Sequence, residues 1–157
     1  HNGWQIDLLR KYVEQPFVTN QLELNLLHFD LLNEGVMVNQ DVKYSAAAGV
    51  IDYCRLHDIM IQAWSPVAQG DLIAPSDKAP KRVRNAAKAV AKMAKAKNTS
   101  REAIALAWLL RHPAGIQPIV GTTKPDRVTA SALADGIQLS REEWYSLLES
   151  SRGESVP

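Results

Sequence analysis

The sequence of 157 residues contains one cysteine, Cys54, and almost no net charge. A single cysteine excludes an intrachain disulfide and a multi-cysteine zinc site, and it is typical of a reducing compartment. A formal net charge of +1 argues against a protein built as a whole to coat nucleic acid or an anionic membrane. The sequence also lacks a signal-peptide pattern and an apolar run of the roughly 20 residues needed to span a bilayer. We therefore expect a cytoplasmic protein.

The remaining patterns alternate short apolar strands with helices. Strands are predicted at residues 17–24, 59–63 and 119–120, the last one following Pro118. Helices are predicted at residues 4–15, in a short turn closed by Gly35, and at 46–57, 78–97, 101–112, 125–133 and from 141 onwards. Capping boxes are predicted at 99–102 and 140–143.

Alternating strands and helices indicate an α/β fold with a parallel sheet and right-handed crossovers. No G-x-G-x-x-G follows any predicted strand, which argues against a dinucleotide-binding open sheet and leaves a (β/α)8 barrel. A full barrel typically takes about 250 residues, and only three strands are predicted here. We therefore expect a portion of a barrel.

The most informative stretch is I-V-G-T-T-K-P-D-R at residues 119–127. A helix that begins near Pro125 would direct free backbone N–H groups and its positive dipole end above the third strand. Lys124 and Arg127 add full positive charge there, so the natural ligand is a phosphate. The same residues could also serve only to cap a helix.

Two other predicted strands end in residues suited to a ligand. On the first strand the alternating polar positions include Thr19, Gln21 and Glu23. The second strand leads into W-S-P-V-A-Q-G-D-L at residues 64–72. Strand ends of a barrel meet at its carboxyl face. We expect Gln21, the loop at 64–72 and the turn at 121–127 to surround one ligand.

Four motifs together resemble the sixth to eighth strands of the aldo-keto reductases and the helices between them. They are N-Q-L-E-L-N, A-W-S-P-V-A-Q-G-D-L, A-I-A-L-A-W-L-L-R and P-I-V-G-T-T-K-P-D-R-V. The closing W-Y-S-L-L-E-S-S-R-G-E-S-V-P is similar to the C-terminus of bacterial members. The resemblance covers residues 1–157 and implies the C-terminal part of the barrel. It also implies a part in hydride transfer from NADPH to an aldehyde or ketone.

The resemblance further implies roles for individual residues. Gln21 would contact the nicotinamide carboxamide. At the adenine, the family usually has an asparagine preceded by a glutamate, whereas this sequence has Ser131 preceded by Ala130. Adenine contacts are therefore expected to be weaker. The pyrophosphate and its ribose would be wrapped by the stretch through Leu72, with Trp64, Ser65, Pro66, Val67, Ala68 and Gly70. The adenosine 2′-phosphate, which would favour NADPH over NADH, would be held by Gly121, Thr122, Thr123, Lys124 and Arg127.

The family's catalytic aspartate, tyrosine, lysine and histidine lie on earlier strands, and no segment here matches them. Tyr12, Tyr44, Tyr53 and Tyr145 all fall on or beside predicted helices. We therefore expect the NADP-binding half of a reductase without catalytic residues, inactive by itself. An N-terminal half or a second copy would cover the open barrel edges, and a small carbonyl compound would be the substrate of the whole enzyme.

Alternatives remain for the function and for several residues. The chain could be a stand-alone, non-catalytic half-barrel that binds a nucleotide or self-associates as a structural module. Trp64 could simply pack, and the basic stretch at 78–97 is predicted to be a solvated helix face rather than a nucleic-acid site. His28, His57 and His112 lack metal-ligand spacing, so no metal is expected, and Cys54 is predicted to be core.

Overall fold

The computed structural model describes residues 1–36 and 49–156, and it gives residues 34–36 as backbone only. Tyr44 and the start of the helix predicted at 46–57 lie outside these residues.

Three parallel strands form one sheet in the order β1-β2-β3, which confirms the predicted parallel sheet. They are β1 (Thr19–Glu23), β2 (Met60–Trp64) and β3 (Gln117–Pro118). Gln21 pairs with Gln62, and Gln62 in turn pairs with Gln117. Because the strands are parallel, their carboxyl ends lie at the same edge of the sheet.

The third strand was predicted two residues too late, at 119–120. Ile116 is 1% exposed and anchors the chain just before β3, whereas Val120 is 42% exposed. The Ile119 amide still donates to the Ala63 carbonyl at 2.8 Å, so sheet pairing ends there. The β-branched pair follows the strand because Pro118 supplies no amide and the chain turns away after it.

Seven helices surround the sheet in the described part of the chain: α1 (Gly3–Arg10), α2 (Asp30–Val36), α3 (Val50–Leu56), α4 (Lys81–Ala96), α5 (Arg101–Leu110), α6 (Pro125–Ala132) and α7 (Arg141–Arg152). Two 3₁₀ turns lie at Ala68–Gly70 and Leu133–Gly136. Gly35 was predicted to close its helix but lies within α2.

The two predicted capping boxes have different outcomes. At α7 the box is confirmed, since Ser140 Oγ accepts from the Glu143 amide and the Glu143 carboxylate accepts from the Ser140 amide. At α5 the N-cap is Ser100 rather than Thr99, and its Oγ accepts from the Ala103 amide at 3.0 Å. Ser100 has the extended φ and ψ that an N-cap requires.

Helix α5 lies at the centre of the core, and every residue from 103 to 109 is buried. The Trp108 indole stacks on Trp144 of α7 with centroids 5.1 Å apart and planes 10° apart. Each indole N–H donates to the other residue's backbone carbonyl, at 3.2 and 2.9 Å. Cys54 is 0% exposed, which confirms the predicted core position.

Helix α4 is the predicted amphipathic surface helix. Ala86, Val90 and Ala94 are buried on one face, while Lys88 and Lys92 on the other are exposed. None of the helices in the described ranges is both long enough and apolar enough to cross a membrane.

Candidate functional site

A cleft of ≈ 500 Å³ opens between the loop after β2 and the turn after β3. The β2 side contributes residues 65–67, 69–71, 73 and 74, and the β3 side contributes residues 120–122 with Arg127 and Ser131 of α6. Glu102 and Leu106 of α5 also line it. The structure therefore brings two of the three predicted strand-end segments together.

The loop after β2 has an unusual backbone. Ser65, Ala68 and Gln69 have φ angles of 52°, 50° and 55°. Residues other than glycine, asparagine and aspartate rarely adopt this left-handed backbone conformation. Backbone strain of this kind concentrates where a loop is held in one shape for binding.

Asn25, two residues after β1, fixes that loop. Its Nδ2 donates to the Ser65 carbonyl at 2.9 Å, and its Oδ1 accepts from the Leu27 and His28 amides at 2.8 and 2.9 Å. Asn25 is 1% exposed, so these bonds replace water completely. The sequence prediction missed this residue, although an asparagine directly after a strand is a common start of an Asx turn.

On the opposite wall, α6 begins without a side-chain cap. Lys124 occupies the N-cap position, and Pro125 follows as the first helical residue. The positive dipole end of the helix is therefore available to an anion, although the exposed carboxylate of Asp126 in the first turn partly offsets it. Thr122 Oγ1 accepts from the Lys124 amide at 3.2 Å and shapes the turn.

The polar groups of the cleft are suited to a phosphorylated ligand. Ser65 Oγ is buried and has no hydrogen-bond partner within the described residues. Arg127 lines the cleft and pairs with no carboxylate of the described side chains. The buried Ser65 hydroxyl needs a partner, which a phosphate oxygen can supply. The exposed Arg127 guanidinium can form charged hydrogen bonds with phosphate oxygens. Asp71 and Glu102 place carboxylates in the same cleft, where they can accept from hydroxyl groups.

Gln21 does not line the cleft, and the expectation that all three segments surround one ligand stays a prediction. Its Nε2 donates to Gln62 Oε1 at 3.3 Å, and Gln62 Nε2 donates to Gln117 Oε1 at 2.7 Å. These in-register amides satisfy one another across the three strands and hold Gln21 on the exposed sheet face. Trp64, two residues after Gln62, is 41% exposed and also absent from the cleft lining.

Four more predicted site residues lie outside the cleft lining: Ala68, Leu72, Thr123 and Lys124. Leu72 is 0% exposed because the loop folds back and places this side chain in the core, so only its backbone could make the predicted contact. Ala68 is half-buried against the core, and Thr123 and Lys124 face solvent.

The described tyrosines also lie elsewhere. Tyr53 on α3 donates its hydroxyl proton to Asp7, Tyr145 is on α7, and Tyr12 is 80% exposed beside α1. None of these three lines the cleft. Within residues 1–36 and 49–156, no three His, Cys, Asp or Glu side chains are grouped to hold a metal ion.

The sequence model of the Aldo/keto reductase family matches residues 1–151. The chain belongs to the aldo/keto reductase family. It is 31% identical over 153 residues to a 6-dehydroglucose reductase of Novosphingobium aromaticivorans, covering 98% of this chain and 45% of the relative. It is 29% identical over 153 residues to the uncharacterized oxidoreductase YcsN of Bacillus subtilis, covering 98% and 46%.

Solved structures confirm the predicted fold class, a partial (β/α)8 barrel. The aldose reductase of Giardia lamblia superposes with a TM-score of 0.68 at 20% identity, covering 100% of this chain and 44% of that structure. The thermostable aldo-keto reductase Tm1743 gives 0.68 at 19% identity, covering 96% and 46%. The chain thus spans about half the length of the relatives that it matches.

Proposed function

We propose that this chain forms the NADP(H)-binding portion of a cytoplasmic aldo-keto reductase that reduces an aldehyde or ketone. The observation that carries the proposal is the cleft, in which the strained loop after β2 faces the glycine turn and Arg127. One wall offers the unpaired Ser65 hydroxyl, and the other offers an uncapped helix start and a free guanidinium.

In this proposal, different residues bind the different phosphate groups of the cofactor. The adenosine 2′-phosphate is bound by Arg127, Gly121 and Thr122. Arg127 supplies a charged donor, and Gly121 has no side chain, so the backbone of the turn can come close to the phosphate. Ser65 and Gly70 contact the pyrophosphate, and Ser131, at 8% exposure, lies where the adenine would enter. Lys124 adds positive potential from outside the cleft.

NADPH, when bound, supplies the hydride. The proton donor for the carbonyl oxygen is proposed to come from outside this chain, because no described tyrosine lines the cleft. By this proposal the 157-residue polypeptide alone reduces no aldehyde with NADPH, and a complementary half of the barrel completes the active site. The name of the Novosphingobium aromaticivorans relative, 6-dehydroglucose reductase, makes a carbonyl on a sugar the first substrate to assay.

The experiment compares Arg127→Gln with Arg55→Gln, a matched change on the exposed arginine of α3. Loss of one charged hydrogen bond costs about 1.5 to 3 kcal/mol, so we expect NADPH affinity to fall about tenfold or more. NADH affinity and the Arg55 variant should stay within about twofold of wild type. Lys124→Gln should have a smaller effect, since that side chain lies outside the cleft.

Equal losses for NADPH and NADH in the Arg127 variant would contradict the 2′-phosphate assignment. Membership of an oxidoreductase family supports the reductase over a purely structural half-barrel. A self-associating module that ignores nucleotides would show no titratable NADPH binding in the wild-type protein.

A further inference from the structure

A second pocket, of ≈ 230 Å³, lies between the C-terminal end of α5 and the N-terminal end of α7. We refer to it as the α5–α7 pocket. Its lining shares no residue with the cleft. Among the described side chains, the polar lining consists of Arg111, His112 and Arg141, with no carboxylate.

The two arginines are held at the pocket by the ends of their helices. Arg111 follows α5, and its Nε donates at 3.1 Å to the carbonyl of Leu139, just before the N-cap of α7. Arg141 is the first residue of α7. Neither guanidinium lies within 4.0 Å of a carboxylate among the side chains of residues 1–33 and 49–156. The pocket therefore has two positive charges whose Nη donors remain for a ligand.

His112 adds a neutral donor. Its Nδ1 accepts from the Ala114 amide at 3.2 Å, which leaves the ring proton on Nε2. Burial lowers the pKa of His112, the nearby Arg55 charge lowers it further, and Asp52 acts in the opposite direction. The imidazole is therefore neutral near pH 7 and offers one N–H group.

The remaining wall is aromatic and rigid. Trp144 is fixed by its stacking and paired hydrogen bonds with Trp108, and Tyr145 meets its edge at 5.1 Å and 84°. The Arg141 guanidinium lies 5.8 Å from the Tyr145 ring centre, so the charged and aromatic walls adjoin. Leu32 of α2 and Pro113 complete the apolar lining.

We propose that the α5–α7 pocket binds a small aromatic monocarboxylate. Arginine forms paired hydrogen bonds with a carboxylate, and flat aromatic walls accept a flat ring. The volume lies below the roughly 300 to 1,000 Å³ of sites for drug-sized ligands, which limits the occupant to about one ring. A carboxylate without a ring leaves the aromatic wall unused, and a cation is repelled by both arginines.

The test titrates benzoate into the intact protein and follows the indole N–H resonance of Trp144 by NMR, assigned with Trp144→Phe. We expect saturable shifts of this resonance. Arg141→Gln should weaken benzoate about tenfold, because it removes a charged partner that makes no hydrogen bond to the protein among the described residues. Arg111→Gln serves as a second variant, and far-UV circular dichroism checks that each variant is folded.

Matched probes separate the contribution of the negative charge of benzoate from that of its ring, and matched variants separate the arginines from the rest of the protein. Benzyl alcohol and benzylamine keep the ring without the negative charge, and inorganic phosphate keeps negative charge without the ring; all three should bind at least about tenfold more weakly than benzoate. Lys88→Gln, which removes a positive charge on the exposed face of α4, should leave benzoate affinity within about twofold. Benzyl alcohol binding as tightly as benzoate, or an unchanged affinity in both Arg111 and Arg141 variants, would overturn the proposal. So would no Trp144 shift at millimolar benzoate, or a response abolished only by Arg127→Gln, which would place the anion in the cleft.

Discussion

Replacing Trp108 with phenylalanine tests whether the paired tryptophans stabilise the fold as the geometry implies. The variant loses the indole donor to the Trp144 carbonyl, a net contribution of about 1 kcal/mol. It also leaves a cavity where the second ring of a fully buried side chain stood. Full truncation of such a residue to alanine costs about 3 to 5 kcal/mol, so the missing ring atoms account for about 1 to 2 kcal/mol. We expect a total loss of about 2 to 3 kcal/mol.

Urea unfolding followed by far-UV circular dichroism measures this loss, provided that the slope of the transition is unchanged. The matched control is Trp4→Phe, the same chemical change at a side chain that is 83% exposed, and it should alter stability by less than about 0.5 kcal/mol. A Trp108 variant as stable as this control would mean that the Trp108 indole hydrogen bond and the buried second ring contribute nothing to stability, which would refute the prediction.

Two further predictions concern single polar residues. Asn25→Ala should reduce the free energy of unfolding by about 1 to 3 kcal/mol, because it removes the hydrogen bond to the Ser65 carbonyl and the Oδ1 acceptor of the Leu27 amide. Asn85→Ala on the exposed side of α4 should cause no loss in the same urea assay. Glu143 has a lowered pKa, first because it accepts from the Ser140 amide and then because Lys97 pairs with it at 2.9 Å. Its stabilising effect is therefore present above the unfolded-state pKa of about 4.3 and is lost as pH falls through the folded pKa. Glu143→Gln should lower the free energy of unfolding at pH 7, and the difference from wild type should shrink towards pH 3. A difference that is constant with pH would contradict this. The control is Glu14→Gln, the same change at an exposed carboxylate.

Local patterns predicted the elements well where one residue type decides the structure. The Ser140 capping box and the start of α6 at Pro125 follow from short-range chemistry, and both are confirmed. The third strand was misplaced because Ile119 and Val120 carry the β-branched signal. Its pairing is instead set by the neighbouring strand, through the Ala63 carbonyl.

The candidate site was predictable only where strand topology determines which segments are neighbours. Parallel strands place their carboxyl ends at one edge, so the loop after β2 and the turn after β3 had to be neighbours. The depth of the cleft depends instead on how the loop folds back, which buries Leu72 and exposes Gln69. Long-range contacts such as Asn25 with Ser65 and the α5–α7 pocket carry no local signal, because they join residues far apart in sequence.

The position of Gln21 outside the cleft is compatible with its proposed role at the nicotinamide. Neighbouring strands lie about 4.8 Å apart, so Gln21 on β1 is about 10 Å from Gln117 on β3. A dinucleotide is long enough for its two ends to meet different strands, and its path from Arg127 towards β1 would cross the end of β2 at Trp64. A ligand with a phosphate but no nicotinamide should therefore use the cleft and leave the Gln21–Gln62 hydrogen bond intact, whereas the full cofactor should replace that bond.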